Sequence, residues 1–246
     1  MTKTTIIAKN KEHLEKLIEE AMQVDGHFCD LNYIDVSQVT DMSDLFMNSA
    51  FQGDISAWNV ANVHNMSRMF FNSQFNGNIA NWNVSKVLNM LFMFGNSKFN
   101  GNLSKWNIAN VKDMWGMFRG SDFNRDIGAW DVSNVLDMGY MFRESRFNGD
   151  LSHWSFKNDV MITNFFDPDK LDQFEMPNMY HWLLILEGSV TRNAQWRAHV
   201  DAHTPIVRSF ATTKIDAARL MHRAWLSQEP TCETALSVPF ESLEMP

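Results

Sequence analysis

The sequence predicts an α/β fold: a right-handed solenoid of about six 24-residue units, with a strand-helix cap at its N-terminus and a helical cap at its C-terminus. Three observations predict it. Trp58, Trp82, Trp106, Trp130 and Trp154 recur at a constant interval of twenty-four residues. Phe51, Phe75, Phe99, Phe123 and Phe147 keep the same interval. No insertion interrupts the step from Phe51 to Phe147, so the units follow one another without a break. One unit this short cannot bury its apolar side alone, whereas stacked copies cover each other.

Further positions return in register. They include Ile55, Ile79, Leu103, Ile127 and Leu151; Val39, Val63, Val87, Val111 and Val135; and Met42, Met66, Met90, Met114 and Met138. Phe46, Phe70, Phe94, Phe118 and Phe142 follow, each with a Ser three residues later, from Ser49 to Ser145. Within a unit, Asn-Gly pairs such as Asn76-Gly77 signal a turn. Residues 55–60 have apolar spacing near two to three and predict a short strand. Met66, Met69 and Phe70 stand at i, i+3 and i+4, which predicts a short helical turn. The repeated Asn59, Asn83 and Asn107 are read as satisfying backbone groups at the bends, because no unit repeats the clustered acids of a calcium loop.

Strand, bend and short helix per unit is the plan of a leucine-rich repeat. Trp130-Asp131-Val132-Ser133-Asn134-Val135, followed by Met138 and by Met141-Phe142, resembles the signature of the BspA-like leucine-rich-repeat family. The resemblance spans residues 28–167. It implies a solenoid and a partner-binding or adhesive role, since family members are commonly surface proteins.

The caps follow from the pattern's edges. Residues 4–8 predict a strand. Asn10 can cap a helix running to about residue 22, with Leu14, Leu17, Ile18 and Met22 on one face and Gly26 as its stop. Residues 1–27 therefore form the N-terminal cap and 28–170 the repeats. At the decaying end Ile162, Phe165 and Phe166 still match Met66, Met69 and Phe70. Asp167-Pro168-Asp169 then ends the pattern. Residues 171–246 predict a helical cap or small domain, with Ile215, Ala218, Met221 and Trp225 at helical steps.

Charge and chemistry narrow the function. The net charge is −8, which argues against direct nucleic-acid binding. Residues 1–60 hold four Lys against ten Asp/Glu, and residues 61–170 hold eleven Lys/Arg against ten, so the acidity is uneven. Two cysteines, Cys29 and Cys232, build no disulfide framework. No signal-peptide-like or membrane-spanning apolar run is present, so a cytoplasmic location is expected, with delivery to a host or cell surface as the alternative. His199 and His203 are spaced i, i+4, but Val200 stands where a zinc protease needs Glu. No catalytic residue, metal site or cofactor is expected.

The repeats supply their own control for binding positions. A position filled alike in every unit serves the core, and one that varies is exposed. Between the Met and the Met-Phe pair the units read Ser67-Arg68, Leu91-Phe92, Trp115-Gly116 and Gly139-Tyr140; after the Phe they read Phe71, Gly95, Arg119 and Arg143. Large apolar side chains at exposed positions, mixed with Arg, have the composition of interface hot spots. Leu91, Phe92, Trp115, Arg119, Tyr140 and Arg143 are the candidate partner-binding residues. The expected function is a non-enzymatic protein-binding module. The alternatives are an inhibitor or host-directed effector, including a mobile-element inhibitor of a bacterial complex, and a surface adhesin.

Overall fold

The computed structural model describes residues 3–149 together with Leu151, Trp154, Val160, Met161 and Phe165. The predicted C-terminal helices, His199, His203 and Cys232 lie outside the described residues.

The N-terminal region is built as its capping chemistry dictates. Strand β1 (Ile6–Ile7) pairs in parallel with β2 (Ile34–Asp35), Ile6 opposite Ile34. Helix α1 (Lys11–Asp25) starts at Asn10, whose side-chain oxygen accepts a hydrogen bond from the His13 amide at 2.9 Å. It ends at Gly26, whose φ of 75° suits a residue without a Cβ, and whose amide donates to the Met22 carbonyl. Leu14, Ile18 and Ala21 are buried, and Leu17 and Met22 pack partly against the same core. Cys29 is buried beside this end of the core, and burial pushes its thiol pKa up.

Beyond the cap, backbone bonds tie each unit to the next at a few recurring positions. Parallel bridges link Asp41 to Asn65, Asn65 to Asn89, Asn89 to Asp113, Asp113 to Asp137 and Asp137 to Met161. The apolar positions form columns across the units. Phe46, Phe70, Phe94, Phe118 and Phe142 stack within 6° of parallel at 5.5–5.8 Å. Phe51, Phe75, Phe99, Phe123 and Phe147 form a second column, each ring 4.1–4.6 Å from the first. Full burial of one such side chain contributes about 1.5–3 kcal/mol.

The tryptophans form a third column with a polar task. Each indole N–H of Trp58, Trp82, Trp106, Trp130 and Trp154 donates to the carbonyl of Leu31, Ile55, Ile79, Leu103 or Ile127 respectively, at 3.0–3.2 Å. A buried indole N–H without such a partner is costly. The apolar ring and its one donor thus bind adjacent units by two different forces.

The strand and helical turn expected within each unit are not where the spacing placed them. Residues 55–60 hold a turn closed by the Trp58 amide on the Ile55 carbonyl. Residues 66–73 hold consecutive turns, with the amides of Met69, Phe71 and Ser73 bonding back three residues. The amides of Met66, Arg68, Phe70 and Asn72 donate instead to Asn89, Leu91, Met93 and Gly95 of the next unit. A helix would use its amides internally. Positive φ at Arg68 (54°) and Asn72 (52°) interrupts that path, so alternate amides turn outward to the neighbouring unit.

The repeated Asn and Asp residues act as turn closers. Asn59, Asn83 and Asn107 each accept the amide two residues on, as do Asp54, Asn78 and Asn102, and Asn65, Asn89 and Asp113. These are Asx turns, local bonds that free the chain from helix or sheet at each corner.

Candidate aromatic interface

Three unit positions that vary in the sequence come together as one band of rings. Phe71 meets Phe92 edge-on, with centroids 5.3 Å apart and planes at 70°. Phe92 meets Trp115 at 4.6 Å and 88°. Trp115 meets Tyr140 at 5.1 Å and 54°. All four rings are half-buried. Edge-on pairs contribute about 0.5–1.5 kcal/mol beyond their burial, so these contacts help to hold the band in shape.

Three of the four rings, Phe71, Phe92 and Trp115, are each seated on a glycine that occupies the same position one unit further on. A Cβ at Gly95, the counterpart of Phe71, would come within 2.8 Å of Phe92 and 2.9 Å of Phe71. One at Gly116, the counterpart of Phe92, would come within 2.4 Å of the Phe92 ring. One at Gly139, the counterpart of Trp115, would come within 2.6 Å of the Trp115 ring. Bulky side chains in successive units would collide, and the alternation of ring with glycine removes the collision.

The backbone also works against these side chains. Phe92 has φ 50° and Tyr140 φ 58°, at the position that Gly116 fills with φ 60°. A bulky residue in this left-handed region carries about 1–2 kcal/mol of steric cost. Glycine or Asn would be easier there, so these two rings stand where local conformation disfavours them.

Arginines complete the band. The guanidinium carbon of Arg119 lies 5.5 Å from the Tyr140 ring centroid and that of Arg143 lies 5.3 Å from it. Both approach Glu144, at 3.8 and 3.6 Å. Leu91 is half-buried and precedes Trp115 in its column, and the Arg68 amide bonds to its carbonyl. The structure therefore brings Phe92, Trp115, Tyr140, Arg119 and Arg143 into one cluster with Leu91 alongside. Phe71 joins them, and the sequence signal for it was its pairing with Gly95 one unit on.

Two carboxylates flank the rings. Asp113 accepts the Trp115 amide at 2.9 Å, and Asp137 accepts the Gly139 amide at 2.8 Å. Burial pushes the pKa of Asp113 up. Asp137 is raised by burial first and then by the charge of Asp113.

A family model described as "Mycoplasma protein of unknown function, DUF285" matches residues 12–122 and again 72–178. The two spans together cover more than half of the chain. The chain belongs to this DUF285 family. The DUF285 spans contain every residue of the band, with Phe92, Trp115 and Arg119 inside both. No curated protein and no solved structure matches the chain. No helix among the described residues is long and apolar enough to cross a membrane, and no group of three or more metal-ligating side chains occurs among them.

Proposed function

We propose that this chain is a non-enzymatic solenoid of the leucine-rich-repeat kind that binds a protein partner through the band formed by Phe71, Phe92, Trp115 and Tyr140 with Arg119 and Arg143. The observation that carries the reading is the placement of two of the four rings, Phe92 and Tyr140, at a position where glycine is conformationally easier. A fold-stabilising role is already filled by the buried Phe and Trp columns, so rings held half-exposed against backbone preference point to recognition. The band also suits the energetics of binding. Its rings are locked by edge-on contacts, so little side-chain freedom is lost when a partner docks. Aromatic residues with Arg are the types that dominate interface energies.

The test is a capture experiment with the full chain and its Trp115→Ala/Tyr140→Ala variant, with unfolding followed in parallel. The reading expects a specific protein to be retained by the native chain and lost by a variant that still unfolds cooperatively. Equal retention by the two folded proteins would defeat it.

A further inference from the structure

The stretches of chain that carry the band have a charge opposite to that of the whole chain. Residues 67–77, 91–101, 115–125 and 139–149 occupy the same span of four successive units. They carry six cations, Arg68, Lys98, Arg119, Arg125, Arg143 and Arg146, against two acids, Asp122 and Glu144, and against four once Asp113 and Asp137 beside the rings are counted. The chain as a whole is −8. Among the described residues four of the five arginines lie between positions 119 and 146.

Arg125 shows that this is more than drift. Its counterparts in the other units are Gly53, Gly77, Gly101 and Gly149. At each of these a Cβ would fall within 2.6–2.7 Å of the adjacent Phe ring. An arginine therefore stands where four units use glycine to clear a buried ring. Its Nε donates to the Asn100 carbonyl at 2.9 Å, which anchors the side chain at the surface. Arg146 is 77% exposed and lies 3.2 Å from Asp122, which also holds Lys98 at 3.2 Å. Exposed ion pairs of this kind are worth about 0–1 kcal/mol, so an incoming carboxylate can exchange into them at small cost. The planar guanidinium fork matches a carboxylate better than an ammonium does.

We infer that the band's partner presents an acidic polypeptide segment whose apolar or aromatic side chains sit on the rings while its carboxylates engage Arg119, Arg125 and Arg146. This rests on the protein-binding reading above and adds the chemistry of the partner. Charge complementarity of this form sets orientation and speeds encounter, and it weakens with salt.

The experiment pans a randomised displayed-peptide library against the full chain, with the Trp115→Ala/Tyr140→Ala and Arg125→Glu/Arg146→Glu variants as counter-selections. A fluorescent single-stranded oligothymidylate is titrated alongside. Recovered peptides should interleave Asp or Glu with Leu, Phe or Trp, and should be lost with the ring variant. They should bind about tenfold more weakly to the charge-reversed variant and weaken as salt rises. Peptides that need the rings but show no acidic enrichment would overturn this inference and leave the protein-binding reading standing. Recovery of no ring-dependent peptide would sink both. Tighter ring-dependent binding of the oligothymidylate would overturn the inference in favour of a nucleic-acid partner.

Discussion

Phe94 belongs to a column in which every unit carries Phe. It is fully buried and stacks within 5° of parallel on Phe70 and Phe118. Phe92, two residues earlier, shares its position with Asp44, Arg68, Gly116 and Tyr140, is half-buried, and meets its neighbours edge-on. One residue type thus serves two purposes in a single turn of chain. Inside, identity is repeated because each ring is the packing surface for the next. Outside, identity is broken because a ring needs a glycine beside it. Regularity marks the interior of this molecule, and broken regularity marks its half-exposed aromatic band.

The largest effects should come from the interior. Trp106→Ala should lower the unfolding free energy by about 3–5 kcal/mol in urea titration, through loss of buried ring contacts. Trp106→Phe keeps most of the ring but removes one of the two donors to the Ile79 carbonyl, which keeps the Trp82 amide, and should cost about 0.5–1.5 kcal/mol. A negligible cost for both would break the distinction between column and band.

A smaller effect is expected at the glycine seats. Gly116→Val combines an unfavourable φ of 60° with a Cβ 2.4 Å from the Phe92 ring. It should cost about 1–3 kcal/mol in the same titration and displace Phe92 from Trp115. A variant as stable as the native chain would show that the rings do not need these gaps.

Electrostatics sharpens the comparison by the least. The carboxyls of Asp113 and Asp137 are raised in the fold, so ionisation at neutral pH opposes folding, and this cost fades as pH falls through the raised values. Asn65 and Asn89 make the same Asx turn without charge. Asp137→Asn should therefore raise the urea midpoint at neutral pH, with the gain shrinking on acidification. Asp54 behaves oppositely. The Ser56 amide holds its carboxyl pKa low, so its contribution is present at neutral pH and is lost as pH falls through that lowered value. Asp54→Asn should lower the midpoint at neutral pH, again with a difference that shrinks in acid.

Much of this arrangement was legible in the sequence, and the part that was not has a physical reason. The twenty-four-residue register was visible because stacked rings demand the same residue at the same step, as at Trp58 and Trp82. The capping of α1 was visible in Asn10 and Gly26, since both residues act locally. The path of the chain within a unit was not. Met66, Met69 and Phe70 have helical spacing, yet left-handed turns at Arg68 and Asn72 interrupt the helix, and the amides of Met66 and Phe70 bond to the next unit. Apolar spacing reports which side chains are buried together and is silent on where the amides point. The cluster of Phe92, Trp115 and Tyr140 was readable from variation between units. The glycine seats were written in the sequence as well, but Gly95, Gly116 and Gly139 acquire meaning only when each is set beside the ring of the preceding unit.

The most direct measurement compares the unfolding free energies of Phe94→Ala and Phe92→Ala. Removing the stacked inner ring should cost about 3–5 kcal/mol. Removing the outer ring should cost about 1–2 kcal/mol, the loss of its edge-on contacts. Equal costs, or a larger one at Phe92, would contradict the division between a repeated, load-sharing interior and a varied aromatic surface.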